Sequence, residues 1–453
     1  MAALVGMPLA VTAVGYGTDA HAQSSPAVTS TAVVPTTTVP ITRSVEPITY
    51  ESLNQPYVPA TRDAVSVDPS LAGVRERVHP EYTPLGARLG SFIFYPDLIA
   101  RVAYDSNITA VGTNEKADTY FLIAPSFKLQ SDWVRHALTV DGFLESASYV
   151  NYSNADYTNY GIGSSGRLDI TPDSTLTGFA RYLRGHQLPG EGPTEDEIES
   201  PLGFDRTTAG VRWDNQFNRI QTALSFDFLD NQYDSWLDGA PTDQGYRNGQ
   251  TYTTTGRIAY EISPMTSVFT SAAYEWSDFE NSLYDGDEIT ARVGLNFEPS
   301  RLLRGQVYVG YIDWTSDSGY LDDISHFNFG ADLAWFATPL LTVTFSADQN
   351  VEASNQAGGS SILVNEAGVR FDYEFRRNVI FAGWFNYNHQ DYEDYPRTDE
   401  KFIYGTSINY LINRYARAGV EYRYTDFTSN YNGIDGVEDY TRSVVLGTLR
   451  LAY

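Results

Sequence analysis

The sequence predicts an all-β fold. It reads as a transmembrane, antiparallel, up-and-down β-barrel of about 18 strands (16–18), preceded by a disordered N-terminal tether. Three observations carry this. Tracts of two-residue alternation, commonly about ten or more residues long, run from residue 91 to the last residue. Short turns alternate with long polar connections between those tracts, and aromatic residues crowd the tract ends. A strand sends alternate side chains to opposite faces, and about ten residues of tilted strand cross a bilayer. A soluble sandwich or propeller also alternates. Long strands, two kinds of connection and two aromatic bands together favour the membrane barrel.

Residues 1–22 read as a signal-peptide-like segment. An apolar run leads to Ala20-His21-Ala22, and the small residues Ala20 and Ala22 fit an export cleavage site before Gln23. No Lys or Arg precedes Arg43, so the usual basic start is missing, and a start codon upstream or a clipped chain is expected. Residues 23–90 form a Pro/Thr-rich periplasmic tether, interrupted at Pro26, Pro35, Pro40, Pro47, Pro56, Pro59, Pro69, Pro80 and Pro84. Such a segment buries too little to offset its ordering entropy and is expected to stay extended. Residues 91–453 are the barrel.

Within the barrel, Ile289, Ala291, Val293, Leu295 and Phe297 alternate with Thr290, Arg292, Gly294, Asn296 and Glu298. Ala367, Val369, Phe371, Tyr373 and Phe375 oppose Glu366, Gly368, Arg370, Asp372 and Glu374. Ala416, Ala418, Val420, Tyr422 and Tyr424 oppose Arg417, Gly419, Glu421 and Arg423. The pattern places Val293, Leu333, Val369 and Val420 against lipid, and Arg292, Asp332, Arg370 and Glu421 towards the lumen. Truncating Arg370 to alanine is expected to leave assembly largely intact.

Eight short turns fall near Asp132, Thr171–Ser174, Asn218, Pro264, Ser300, Pro339, Arg377 and Asn413. Nine longer connections lie at 105–118, 151–157, 187–204, 231–249, 280–288, 315–323, 352–360, 389–400 and 426–440. Eighteen strands follow, with both chain ends on the periplasmic side. Trp133, Phe217, Trp335, Phe336 and Tyr415 lie near short turns, and Tyr149, Tyr152, Tyr233, Trp236, Trp276, Phe279 and Trp314 near long loops. Two interfacial girdles are expected from them. The final tract sets Val445, Gly447, Leu449, Leu451 and Tyr453 on one face. Gly447, Leu449, Leu451 and Tyr453 resemble the carboxy-terminal signal read by the barrel-assembly machinery. That strand must pair with the first, about 92–104, to close the sheet.

The barrel entrance reads Pro84-Leu85-Gly86-Ala87-Arg88-Leu89-Gly90-Ser91-Phe92-Ile93-Phe94-Tyr95-Pro96, then Tyr104-Asp105-Ser106-Asn107-Ile108, with Leu168 to Leu176 adding a characteristic turn. These segments resemble the putative beta-barrel porin-2 family of proteobacterial outer-membrane proteins, over residues 80–453. The resemblance implies a porin-like channel in the outer membrane of a Gram-negative bacterium. Relatives often accompany exopolysaccharide or adhesin export, so it also implies a conduit linked to exopolysaccharide export. A passive diffusion porin for small solutes and a plugged structural or adhesion barrel stand as alternatives.

Composition narrows the chemistry. The net charge of −27 argues against nucleic acid, whose phosphates need Lys and Arg, and the absence of Cys removes thiol catalysis, disulfides and Cys-bound zinc. The six histidines are scattered without metal-ligand spacing, so neither catalysis nor a cofactor is expected, although His326 and His389 sit near loop ends. Asp285-Gly286-Asp287-Glu288 is a calcium-loop fragment without the full ligand series. The candidate pore-lining residues are Arg212, Arg257, Arg292, Asp332, Glu366, Arg370, Asp372, Glu374, Arg417, Glu421 and Arg423. Each is also a candidate for a structural wall pair. The third long connection carries Glu191, Glu195, Asp196, Glu197 and Glu199. Folded inward, these acids would narrow the pore against Arg212, Arg257, Arg292 and Arg370. Left outside, they would be solvated or bridged to lipopolysaccharide by divalent cations. The expected partners are outer-membrane lipid and lipopolysaccharide, the barrel-assembly machinery, and a polysaccharide or periplasmic export component.

Overall fold

Long alternating tracts bounded by Gly, Pro, Asn and Asp become strands because each buries one row of side chains while its backbone groups pair with the neighbouring strands. The computed structural model describes residues 73–453 apart from 76, 78, 191–199, 238–239, 242–246, 301, 319–322, 354–360, 394–395 and 433–436. The expected signal-like segment, the tether up to residue 72 and the five loop acids lie outside the described residues.

The strands are β1 (Ala87–Leu89), β2 (Phe92–Asp105), β3 (Asp118–Ser131), β4 (Ala137–Tyr149), β5 (Tyr157–Thr171), β6 (Ser174–Gln187) and β7 (Leu202–Phe217). Next come β8 (Ile220–Tyr233), β9 (Trp236–Leu237), β10 (Ala240–Pro241), β11 (Gly249–Ser263), β12 (Thr266–Phe279), β13 (Gly286–Ser300) and β14 (Leu303–Ser316). The last are β15 (Ile324–Thr338), β16 (Leu341–Ala353), β17 (Ser361–Arg376), β18 (Val379–Tyr392), β19 (Thr398–Asn413), β20 (Ala416–Ser429) and β21 (Tyr440–Ala452). β9 and β10 form a small separate hairpin. The others form one 19-stranded sheet. Leaving out the three-residue β1, eighteen strands pair antiparallel in chain order, and β21 returns to β2. The barrel is closed, with the expected strand number.

Closure joins the first strand to the last. β2 pairs with β21 from Asp97 to Asp105, and below that point the same edge of β2 is taken by β1, from Phe92 to Phe94. No long bare edge is left to recruit another chain. Two arginine–aspartate pairs clamp the inner side of this seam. Arg450 pairs with Asp97 at 2.6 Å near the short-turn end, and Arg442 pairs with Asp105 at 2.6 Å near the long-loop end.

All eight short turns and nine long connections fall where the sequence places them. Six of the short turns carry a register shift in the adjoining ladder. Such bulges add local twist at the rim of a barrel. Val293 and Val420 are exposed on the outer surface, and Leu333 and Val369 share the outward rows of β15 and β17 with the exposed Trp335 and Phe371. Trp133, Phe217, Trp335 and Tyr415 form an outward aromatic band at the short-turn end.

The other aromatic band differs from expectation. Trp276 faces outward there, beside Tyr104, Tyr160, Tyr182 and Tyr404. Tyr149 and Trp314 are buried on the inner wall, as is Phe336 at the short-turn end. They cover apolar parts of segments that fold into the barrel, so their crowding at strand ends reflects inner packing as well as an interface. The backbone of Trp236 belongs to the β9–β10 hairpin.

Candidate functional site

The inner wall is built from the polar rows of the strands. All eleven pore-lining candidates stand on inward positions: Arg212 on β7, Arg257 on β11, Arg292 on β13, Asp332 on β15, Glu366, Arg370, Asp372 and Glu374 on β17, and Arg417, Glu421 and Arg423 on β20. Most are held flat against the wall. Arg212 pairs with Asp214 at 2.6 Å, and Arg370 with Asp372 at 2.9 Å, each two residues along the same strand. The Arg257 guanidinium lies 3.7 Å from the centre of the Phe269 ring and donates to Asn296 at 3.3 Å. Asn388 donates to Glu366 at 2.8 Å. Opposite charges two residues apart cancel at short range, so the wall offers donors and acceptors without a ring of one sign.

Arg370 therefore corrects one expectation. Its side chain and that of Asp372 are almost fully shielded, and losing one partner leaves a buried charge unmatched. Truncating Arg370 is expected to weaken the barrel.

Some inward side chains reach past a neighbouring strand. Arg292 donates to Asn328 at 2.7 Å across Gly310, and the Tyr308 hydroxyl reaches Asp348 across Gly330. A Cβ at Gly330 would lie 2.3 Å from the Tyr308 ring, so glycine is required for this crossing.

On the opposite side the wall carries an apolar patch among its charged pairs. Ile99, Ala103, Tyr120, Leu122, Ala124, Ala147, Val444 and Leu446 form one buried cluster with Ile108, Ala155 and Leu188 from the long connections. Leu188 follows β6, and the segment then crosses the mouth. The Pro189 carbonyl accepts from Arg442 at 3.2 Å, and the Gly190 carbonyl accepts from Lys401 at 2.7 Å. Lys401 lies on β19, seven places round the ring from β6. Gly190 turns there at φ +77°, a conformation that favours glycine. At the loop's far end Ser200 is buried and accepts from Asn154 at 3.2 Å. The Gln187 side chain accepts from Arg247 at 2.8 Å.

The third long connection thus enters the mouth at both ends, while Glu191, Glu195, Asp196, Glu197 and Glu199 lie outside the described residues. Arg212, Arg257, Arg292 and Arg370 make bonds within their own wall, and Lys401, Tyr440 and Arg442 receive the described part of the loop. Lys401, Tyr440 and Arg442 flank long connections, where alternation does not mark an inward role. A signal was present: β3 and β21 are apolar on both faces, at Phe121 and Leu122 and at Val445 and Leu446, which a strand between lipid and water does not need.

Other candidates do not converge. His326 faces inward and meets Glu393 at 3.2 Å, whereas His389 is on the outward row of β18, 3.6 Å from Glu400. Asp285 accepts from the Phe279 amide, while Glu288 points inward and accepts from Thr290 at 2.6 Å. Glu438 latches two outer connections by accepting from Gly112 and Thr113. The Thr113 hydroxyl and these amides hold its carboxyl below the usual range.

A family model described as Putative beta-barrel porin 2 matches residues 79–453. The chain belongs to this family. It is a porin-like β-barrel channel of the outer membrane of a Gram-negative bacterium. No curated protein matches its sequence. Among solved structures of low similarity, the outer membrane protein OpdK from Pseudomonas aeruginosa is 10% identical, with a TM-score of 0.45, covering 80% of this chain and 99% of that one. OccAB3 from Acinetobacter baumannii is 13% identical, with a TM-score of 0.44, at 80% and 99% coverage. The siderophore receptor PirA from Acinetobacter baumannii is 6% identical, with a TM-score of 0.45, at 80% coverage of both chains.

Proposed function

We propose that this porin is a conduit for a hydrophilic carbohydrate, linked to exopolysaccharide export, with its third long loop narrowing the outer mouth. The observation that carries the reading is the inner wall. Carboxylates, amides and guanidinium groups are paired there, and the half-buried ring of Trp384 stands on the same face. A hydroxyl-rich chain needs donors and acceptors together and apolar ring faces to slide along. A selective ion path needs an unpaired charge of one sign. Of the candidate pore-lining residues, the half-buried Asp332, Glu366, Arg417 and Arg423 supply the first kind of surface.

A passive diffusion porin is the second reading, favoured by a long loop that enters the mouth. Single-channel recording with added neutral oligosaccharides separates the two. The conduit predicts reversible current blocks whose duration lengthens with the number of sugar units. Steady ion current with no length-dependent block would leave the diffusion porin. The absence of any current would favour the plugged barrel.

A further inference from the structure

The stretch before β1 was expected to stay extended, yet its described residues are docked inside the periplasmic opening. From Gly86, at the foot of β2, the chain runs to the turns of β15–β16 and β17–β18, and β16 stands six places round the ring from β2. Val74 is only 1% exposed, and its amide donates to the Thr342 hydroxyl at 3.0 Å. A Cβ at Gly73 would lie 3.2 Å from both Phe336 and Thr342. Arg77 pairs with Glu374 and also donates to the Pro339 carbonyl. Glu81 stands 3.7 Å from Arg377. Phe336, Thr342 and Glu374 belong to the inward rows of their strands, so the segment lies across the opening and not around its outer rim. A solvated tether has no reason to bury a valine against inward side chains.

We propose that the described residues between Gly73 and Gly86 form a strap that obstructs the periplasmic mouth, and that its release from Phe336, Thr342 and Glu374 opens the passage. This rests on the channel reading above. Among the described residues the anchors are non-covalent and reversible: the apolar contact of Val74, the ion pairs of Arg77 with Glu374 and of Glu81 with Arg377, and hydrogen bonds. They suit a strap that lifts while the barrel stays intact. His79 agrees with docking, since burial holds its imidazole below the usual range beside Glu374, Glu81, Arg77 and Arg377.

The test uses the full chain, which has no cysteine of its own. Val74→Cys is treated with a membrane-impermeant maleimide, alone and combined with Arg77→Ala. In parallel, single-channel currents of the wild type are compared with those of a Val74→Asp, Arg77→Ala variant, whose changes lie outside the barrel wall. The strap predicts protection of position 74 that is lost with Arg77→Ala, and a larger single-channel conductance in the double variant than in the wild type. Equal labelling in both cysteine proteins overturns docking. Protection with unchanged currents overturns gating and leaves the channel standing. Protection with no current from any variant overturns the channel reading and the gating with it.

Discussion

Replacing Arg442 with alanine is expected to destabilise the folded barrel by about 3–5 kcal/mol, the range for removing one partner of a buried ion pair. Asp105 is wholly buried and accepts from Arg442 through both its Nε and a terminal nitrogen, at 2.6 to 3.1 Å. Without Arg442 the carboxylate keeps, among the described residues, the Asn107 amide at 3.0 Å, and the loop loses its bond at Pro189. The pair also spans the closing seam, where residues 337 positions apart must find one register. Urea unfolding in lipid vesicles reads the effect. An Asp105→Asn, Arg442→Leu double variant should recover most of the loss, because no unmatched charge remains. A loss below about 1 kcal/mol in the single variant would mean the seam does not depend on this pair.

The barrel itself was legible in the sequence because its cause is local. Alternation fixes which row of β13 or β17 meets lipid, and Pro172-Asp173 or Asn218-Arg219 marks where a strand must turn. The seam was half legible: the strands to be joined were evident, but not the Asp97 and Asp105 pairs, since the matching arginines lie at the far end of the chain. Loops carry no such period. Nothing in the run from Leu188 to Gly190 announces that its carbonyls meet Lys401 and Arg442, because that contact depends on the curvature of the closed ring. The doubly apolar faces of β3 and β21 were the usable hint. At the tether, proline and threonine read as solvated chain, and nothing in that composition singles out its last residues, where Val74 packs against the wall.

Replacing Val369 with arginine carries the second large effect. Val369 lies midway along β17, on the outward row with Ala367 and Phe371, opposite Phe345 and Phe385 on the flanking strands. A guanidinium there faces hydrocarbon, at a cost of about 2–4 kcal/mol at the bilayer midplane. Heat-modifiable mobility on gels and surface accessibility in cells should both show poor assembly. The same substitution at Thr398, at the aqueous end of β19, should assemble normally. Normal assembly of Val369→Arg would reverse the facing of β17 and undo the membrane reading of its row.

The most direct test of a channel narrowed by its own third loop is single-channel conductance in planar bilayers, before and after deletion of residues 190–200. This segment begins at Gly190, whose carbonyl is held by Lys401 across the mouth, and it contains the acids Glu191, Glu195, Asp196, Glu197 and Glu199. If the loop narrows the passage, the deletion gives larger conductance and weaker cation preference in a barrel that still assembles. Unchanged conductance and selectivity would contradict the account.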